Sequence, residues 1–373
     1  MKEALFYTKL AEGRVRCTLC PHDCSIREGR RGACGVRVNR GGVLYTLVAD
    51  RVVSRALDPI EKKPFFHFYP GSTSYSIATV GCNLRCLFCQ NWEISQWPKG
   101  RRPLDAHEDP EAPDRVWPQR EAAPERILGE RVTPEQLVAA AIRSGAHSIA
   151  YTYTEPTIFY ELAYETATLA RVRGLKNLFV TNGFISEPAL RQIVPLLDGA
   201  NVDLKFFKED SYRRIAGARL HPILEAIRLY RTLGVWVEVT TLVIPGLNDS
   251  EEELRQIAEF VASVGPEVPW HVSQFYPAYK MLDRGRTPVV TLRQARAIGL
   301  EAGLRYVYEG NVPGEGGEHT YCYTCQALLI ARYGFVLLRN RIRQGRCPEC
   351  GTPIDGVEMD GIEERHASRG SPV

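Results

Sequence analysis

Over the second half of the chain, short apolar runs alternate with segments whose apolar positions recur every third or fourth residue. The first pattern reads as a buried strand and the second as an amphipathic helix. The runs fall at 147–153, 177–181, 200–206, 235–243, 271–275 and 304–308. The helical segments between them fall at 157–173, 187–197, 222–233, 251–264 and 292–302. A helix start is written at Thr133-Pro134-Glu135-Gln136. Thr caps, Pro takes the first helical position, where no N–H is needed, and Gln closes a capping box. Gly145 stops that helix. Upstream, residues 75–80 are rich in aromatic, apolar and β-branched residues and run into Gly81-Cys82, which predicts one more strand feeding a loop. Alternating strands and helices predict a parallel sheet with right-handed crossovers, here an α/β fold of the partial (βα)6 TIM-like barrel kind. In such barrels the site lies at the C-terminal ends of the strands.

The flanks break this pattern. Residues 1–60 carry cysteines among turn glycines (Gly29, Gly32, Gly35, Gly41, Gly42) and are expected to form a small N-terminal module. The barrel is expected over 61–310. Within it, 98–130 gathers Pro98, Pro103, Pro110, Pro113, Pro118 and Pro124 among charges, a composition that resists a packed core and predicts a polar insertion. Residues 311–373 form a second cysteine-bearing region with a polar tail.

Composition narrows the function classes. With 373 residues, 44% hydrophobic and 24% charged, the chain can bury a large core without disulfides. A net charge of +3 is too small to attract nucleic acid or membrane by bulk field. No apolar run approaches the ~18 residues of a membrane span, and the start lacks a signal peptide's apolar stretch. The expected location is the cytoplasm, where disulfides are rare, and this turns attention to the 11 cysteines.

They form three groups. Cys322, Cys325, Cys347 and Cys350 make two C-x2-C pairs, a set that closes a tetrahedral shell and points to structural zinc. Arg339, Arg341, Arg343 and Arg346 lie beside the last pair and could touch phosphate, which leaves a zinc-ribbon nucleic-acid binder as one competing reading. Cys17, Cys20, Cys24 and Cys34 also number four, and suit zinc or an auxiliary iron–sulfur cluster. The central group has only three: Cys82, Cys86 and Cys89. A [4Fe–4S] cube with three protein thiolates keeps one iron open to a small molecule.

The run Gly81-Cys82-Asn83-Leu84-Arg85-Cys86-Leu87-Phe88-Cys89 resembles the C-x3-C-x2-C loop of the radical S-adenosylmethionine superfamily. Thr152-Tyr153-Thr154-Glu155-Pro156, Val180-Thr181-Asn182-Gly183, Asp203-Leu204-Lys205 and Ile244-Pro245-Gly246-Leu247-Asn248-Asp249 resemble segments of the pyruvate formate-lyase activating enzymes. The stretch Trp270 to Met281 and Gly310-Asn311-Val312-Pro313-Gly314 are similar to the AmmeMemoRadiSam-system radical enzymes. The resemblance implies a [4Fe–4S] cluster on Cys82, Cys86 and Cys89, and S-adenosylmethionine as co-substrate. It also implies an electron donor such as flavodoxin or ferredoxin. The substrate stays open: a protein, a peptide or another molecule. Glu155 is then expected at the methionine ammonium, or as a helix cap. Asp203 and Lys205 are expected at the ribose or methionine carboxylate, or paired inside the barrel. Phe88 is expected near the adenine, Asn182 at the third strand's end, and Tyr276 where the activases place an adenosine-contacting His. Two glycines of the activase pattern are Tyr153 and Thr154 here. No catalytic side chain beyond the cluster and co-substrate site is implied, and neither a nucleic-acid nor a membrane partner is expected. A non-catalytic iron–sulfur electron carrier is the other competing reading.

Overall fold

The computed structural model describes residues 1–99 and 127–361. Most of the expected insertion at 98–130 lies outside the described residues, as does the end of the tail.

Eight strands form one sheet: β1 (Ser54–Pro59), β2 (Thr73–Ala78), β3 (Ser148–Tyr151), β4 (Lys176–Thr181), β5 (Gly199–Asp203), β6 (Trp236–Val243), β7 (Trp270–Gln274) and β8 (Val307–Gly310). They lie side by side in chain order. From β2 to β8 every pairing is parallel. The crossovers run through α1 (Pro134–Arg143), α2 (Tyr160–Val172), α3 (Glu187–Ile193), α4 (His221–Thr232), α5 (Glu251–Val264) and α6 (Val289–Glu301). Six βα units and a closing strand give the partial barrel that the pattern predicts. The capping box at Thr133 is present, Thr133 Oγ1 accepting from the Gln136 N–H and the Gln136 side chain accepting from the Thr133 N–H. The segment at 157–173 splits: Pro156–Phe159 is a 3-10 turn and the α-helix starts at Tyr160.

β1 is the unexpected member. It pairs antiparallel with β2 and extends the sheet, although residues 54–59 lie on the N-terminal side of the expected boundary at 60. Arg55 and Leu57 face outward, Ser54 and Ala56 are half-buried and Asp58 is buried, so the segment lacks the continuous apolar run of the central strands.

The N-terminal module is built from two three-stranded antiparallel sheets. It does not stand apart. Val15, Leu19, Val36 and Leu44 share one hydrophobic core with Ile158, Phe159 and Tyr160 of the barrel. Arg37 reaches Glu161 of α2 as an ion pair with both partners at 2% exposure or less. The C-terminal region is a three-stranded sheet, with strands at Thr320–Tyr321, Leu328–Tyr333 and Val336–Asn340. It packs on Phe66, Tyr306 and Tyr308 of the barrel. Among the described residues, no helix is long and apolar enough to cross a membrane.

Candidate active site

The loop after β2 brings the three central cysteines to the C-terminal end of the sheet. Gly81 allows this: its φ is +101°, and a Cβ there would stand 2.8 Å from Val36 and 3.0 Å from the Cys34 carbonyl. The loop is held on its other flank by Arg85 and Leu87, whose N–H groups donate to Ala216 and Ile215. All three thiols are free. Cys82 Sγ accepts from the Leu84 N–H at 3.3 Å and from Asn182 Nδ2 at 3.7 Å, and Cys89 Sγ lies 3.3 Å from Ser95 Oγ. Burial pushes the Cys82 and Cys86 thiols up, Cys86 to about 11, while Lys99 acts against this at Cys82 and Lys205 at Cys86. Lys99 is 4% exposed and donates to the carbonyl of Leu84 inside the loop. Lys205 pairs with Asp203 at 2.7 Å, and its ammonium is 5.7 Å from the Phe88 ring. Burial opposes the Lys205 charge, but Asp203 and the neighbouring thiol outweigh it and hold the group protonated. N–H donors on sulfur and buried cations beside thiols favour the thiolate form. This donor set therefore fits a thiolate-bound cluster.

The other expected site residues line the same end of the barrel. Asn182 follows β4, where its Nδ2 also donates to Asn83 Oδ1 at 2.9 Å. Phe88 is buried, edge-on to Phe206 at 6.0 Å between ring centres. β5 stops at Asp203, so Lys205 lies beyond the strand, yet both side chains still meet. Glu155 takes the cap position of the turn after β3 and is 2% exposed. Its Oε1 accepts from the Thr157 N–H, Thr157 Oγ1 and Thr181 Oγ1, and its Oε2 from the Asn182 N–H. It thus ties the end of β3 to the end of β4. Tyr153 has φ +62°, a conformation that favours glycine. Its hydroxyl donates to Asp58 of β1. Tyr276 follows β7, and its hydroxyl donates to the Asn311 carbonyl at 3.1 Å. His271 is not at this end: it is buried against Glu238 Oε2 at 2.7 Å.

The two outer cysteine groups differ in geometry. The sulfurs of Cys322, Cys325, Cys347 and Cys350 all lie within 4.8 Å of one another, with Cys322–Cys350 and Cys325–Cys347 at 3.7 Å. Tetrahedral coordination at a metal–sulfur distance of ~2.3 Å sets sulfurs roughly 3.8 Å apart, so this set fits a single ion. In the N-terminal group, Cys17 and Cys24 face each other across a ladder. Cys17 Sγ accepts from Arg37 Nη1 at 3.8 Å and Cys24 Sγ from the Ala33 N–H at 3.5 Å. This group abuts the central loop, since His22 Nε2 is 2.7 Å from the Asn83 carbonyl and Cys34 lies against Gly81. Sequence reasoning missed Lys99 and these contacts between loops, because long-range packing makes them and no local spacing encodes them.

Comparison with known proteins agrees with this geometry. Residues 76–261, which contain the end of β2, the central loop and β3 to β6, match the Radical SAM superfamily. An uncharacterised protein of Methanocaldococcus jannaschii is 45% identical over 360 residues, covering 96% of this chain and all of that one. The pyruvate formate-lyase 1-activating enzyme of Escherichia coli is 23% identical over 187 residues, covering 50% of this chain and 67% of its own. A radical SAM methyltransferase from Sphaerobacter thermophilus superposes with a TM-score of 0.47 at 17% identity, covering 65% of this chain and 68% of that one. With the three-cysteine loop that follows the first parallel strand inside the matched region, the chain belongs to the radical SAM superfamily.

Proposed function

We propose that this protein reductively cleaves S-adenosylmethionine and uses the resulting 5′-deoxyadenosyl radical to take hydrogen from a protein, peptide or other substrate. The observation that carries the reading is the three-thiol loop at the barrel's C-terminal end, with amide donors and two buried lysines around its sulfurs. When bound by Cys82, Cys86 and Cys89, a [4Fe–4S] cluster supplies the electron that breaks the carbon–sulfur bond.

The chain's own residues do the rest. Lys99 and Lys205 offset thiolate charge and favour the electron-rich state. Asn182 orients Cys82 by donating to its sulfur. Asp203 and Lys205 stand at the mouth of β5 as the candidate partners of ribose and carboxylate. Phe88 offers an apolar face to the adenine, and Tyr276 a hydroxyl-bearing ring on the far wall. Glu155 holds the ends of β3 and β4 together, which fixes the floor on which the methionine end would lie. The reductant is a small electron carrier of the flavodoxin or ferredoxin kind. We assign zinc to the terminal four cysteines, and zinc or an auxiliary cluster to Cys17, Cys20, Cys24 and Cys34.

Anaerobic reconstitution followed by dithionite and S-adenosylmethionine tests the proposal. Wild type is expected to carry about four irons more than a Cys82/Cys86/Cys89 triple-Ala variant and to release 5′-deoxyadenosine. The Cys86→Ala variant is expected to release none. A loaded wild type that yields no 5′-deoxyadenosine would return the protein to the electron-carrier class.

A further inference from the structure

A cavity of about 310 Å³ opens beside the cluster loop. Gln90, the residue after Cys89, forms one wall. Phe66, Tyr276 and Phe335 supply aromatic walls, and Glu309 and Glu318 line it from the end of β8 and the segment that follows. Phe335 sits in the turn between the two long strands of the C-terminal sheet, so that region roofs the cavity.

The two carboxylates are the anomaly. Glu309 is 5% exposed and Glu318 3%. Among the described residues, each keeps a carboxylate oxygen with no hydrogen-bond partner. Glu318 uses its other oxygen to accept from the Gly314 N–H at 2.8 Å. Among the described residues, the Glu309 side chain pairs with no cation. The nearby guanidiniums are committed elsewhere. Arg293 pairs with Glu315 at 2.6 Å, and Arg296 donates to the Val307 carbonyl. Arg332 faces Glu61 and donates to the Glu318 carbonyl, Thr320 and Phe66. Burial, with Glu318 and Glu315 nearby, raises the Glu309 carboxyl above its usual range despite Arg296 and Arg293. A buried carboxylate without a partner is expensive. The backbone is nevertheless shaped to keep Glu309 there: a Cβ on Gly317 would stand 2.5 Å from its side chain.

We propose that this cavity is the substrate pocket and that it takes a substrate whose reacting end carries a primary ammonium on an apolar body. Ammonium N–H groups would satisfy the two carboxylates, and the aromatic walls would cover the body. The inference rests on the radical reading above, because it places the substrate next to the loop that would hold the cluster. Pockets of this kind, mostly apolar with a few converging polar groups, are where small ligands bind.

Phenethylammonium and its neutral counterpart 2-phenylethanol are suitable probes, titrated into the anaerobic metal-loaded protein by calorimetry. The ammonium is expected to bind at least ten-fold more tightly. Glu309→Gln and Glu318→Gln are each expected to reduce that preference below three-fold. Equal affinity of the two probes for wild type would overturn the inference, as would a preference unchanged in both variants. The wild-type comparison needs no variant, so a variant that fails to fold leaves the test intact. Release of 5′-deoxyadenosine by the same wild-type preparation separates the two readings. Selective ammonium binding without S-adenosylmethionine cleavage upholds the pocket and removes the radical chemistry. Cleavage without selectivity does the reverse.

Discussion

Asp58 is 4% exposed on β1, accepts from Ser76 and Tyr153, and pairs with Lys62 and Lys63 at 2.8 and 2.7 Å. Burial alone would raise its carboxyl, but these four partners outweigh it and hold the group well below the usual range. The unfolded chain takes up a proton near the reference value of about 3.9, while the folded chain stays ionised. The stabilising contribution is therefore present above that pH and is lost as pH falls toward the depressed folded value. The difference in melting temperature between wild type and Asp58→Asn is expected to be full at neutral pH and to narrow between about pH 5 and about pH 3; a pH-independent gap would remove the argument. Glu155 gives a second test. Glu155→Ala strands the buried Thr157 and Asn182 N–H donors, and is expected to lower stability by about 3 kcal/mol, read by chemical denaturation. Glu155→Gln keeps an acceptor and is expected to lose less. Tyr153 adopts a left-handed backbone, and its hydroxyl bond to Asp58 offsets part of the strain.

At the level of elements, α1 starts with both halves of its capping box made. Thr133→Ala is expected to cost about 1 kcal/mol, with faster hydrogen exchange confined to the first turn of α1. This helix was legible because its start signals are local. The parallel strands were legible because both their faces are buried, which leaves continuously buried, mostly apolar runs such as Ser148–Tyr151. β1 was not, since an edge strand with one face in solvent carries no such run. The gathering of the terminal four cysteines could be read from spacing because they form two short paired stretches, and the pairing of Asp203 with Lys205 because they lie two residues apart. Lys99, and the pairing of Glu309 with Glu318 around a cavity, depend on segments that meet only in three dimensions. The same holds for Glu155, whose expected contact with methionine and whose cap are indistinguishable until its hydrogen-bond partners are seen.

On the scale of the whole molecule, the C-terminal region is part of the barrel's wall. Val357 donates to the His67 carbonyl at 2.9 Å, and the Tyr69 N–H donates back to Val357 at 2.8 Å. Arg305 clasps Asp355 through two bonds of 3.0 and 2.9 Å. Phe66 and His67 are held from inside by the Glu238 carboxylate. Cys347→Ala is expected to remove about one bound metal ion and unfold the terminal sheet. It should also speed hydrogen exchange at Phe66 to Tyr69, while the iron of the central loop is retained. A terminal sheet that stays protected without metal would contradict the assignment.

The clasp between Tyr69 and Val357 also has a temporal meaning. A growing polypeptide presents β2 and the central cysteines well before the segment that fastens their neighbours. Until the terminal segment is made, the His67 carbonyl and the Tyr69 N–H lack their Val357 partner, and the cavity beside Gln90 lacks its Phe335 wall. The cavity beside the central loop can therefore close only after the loop itself has been made.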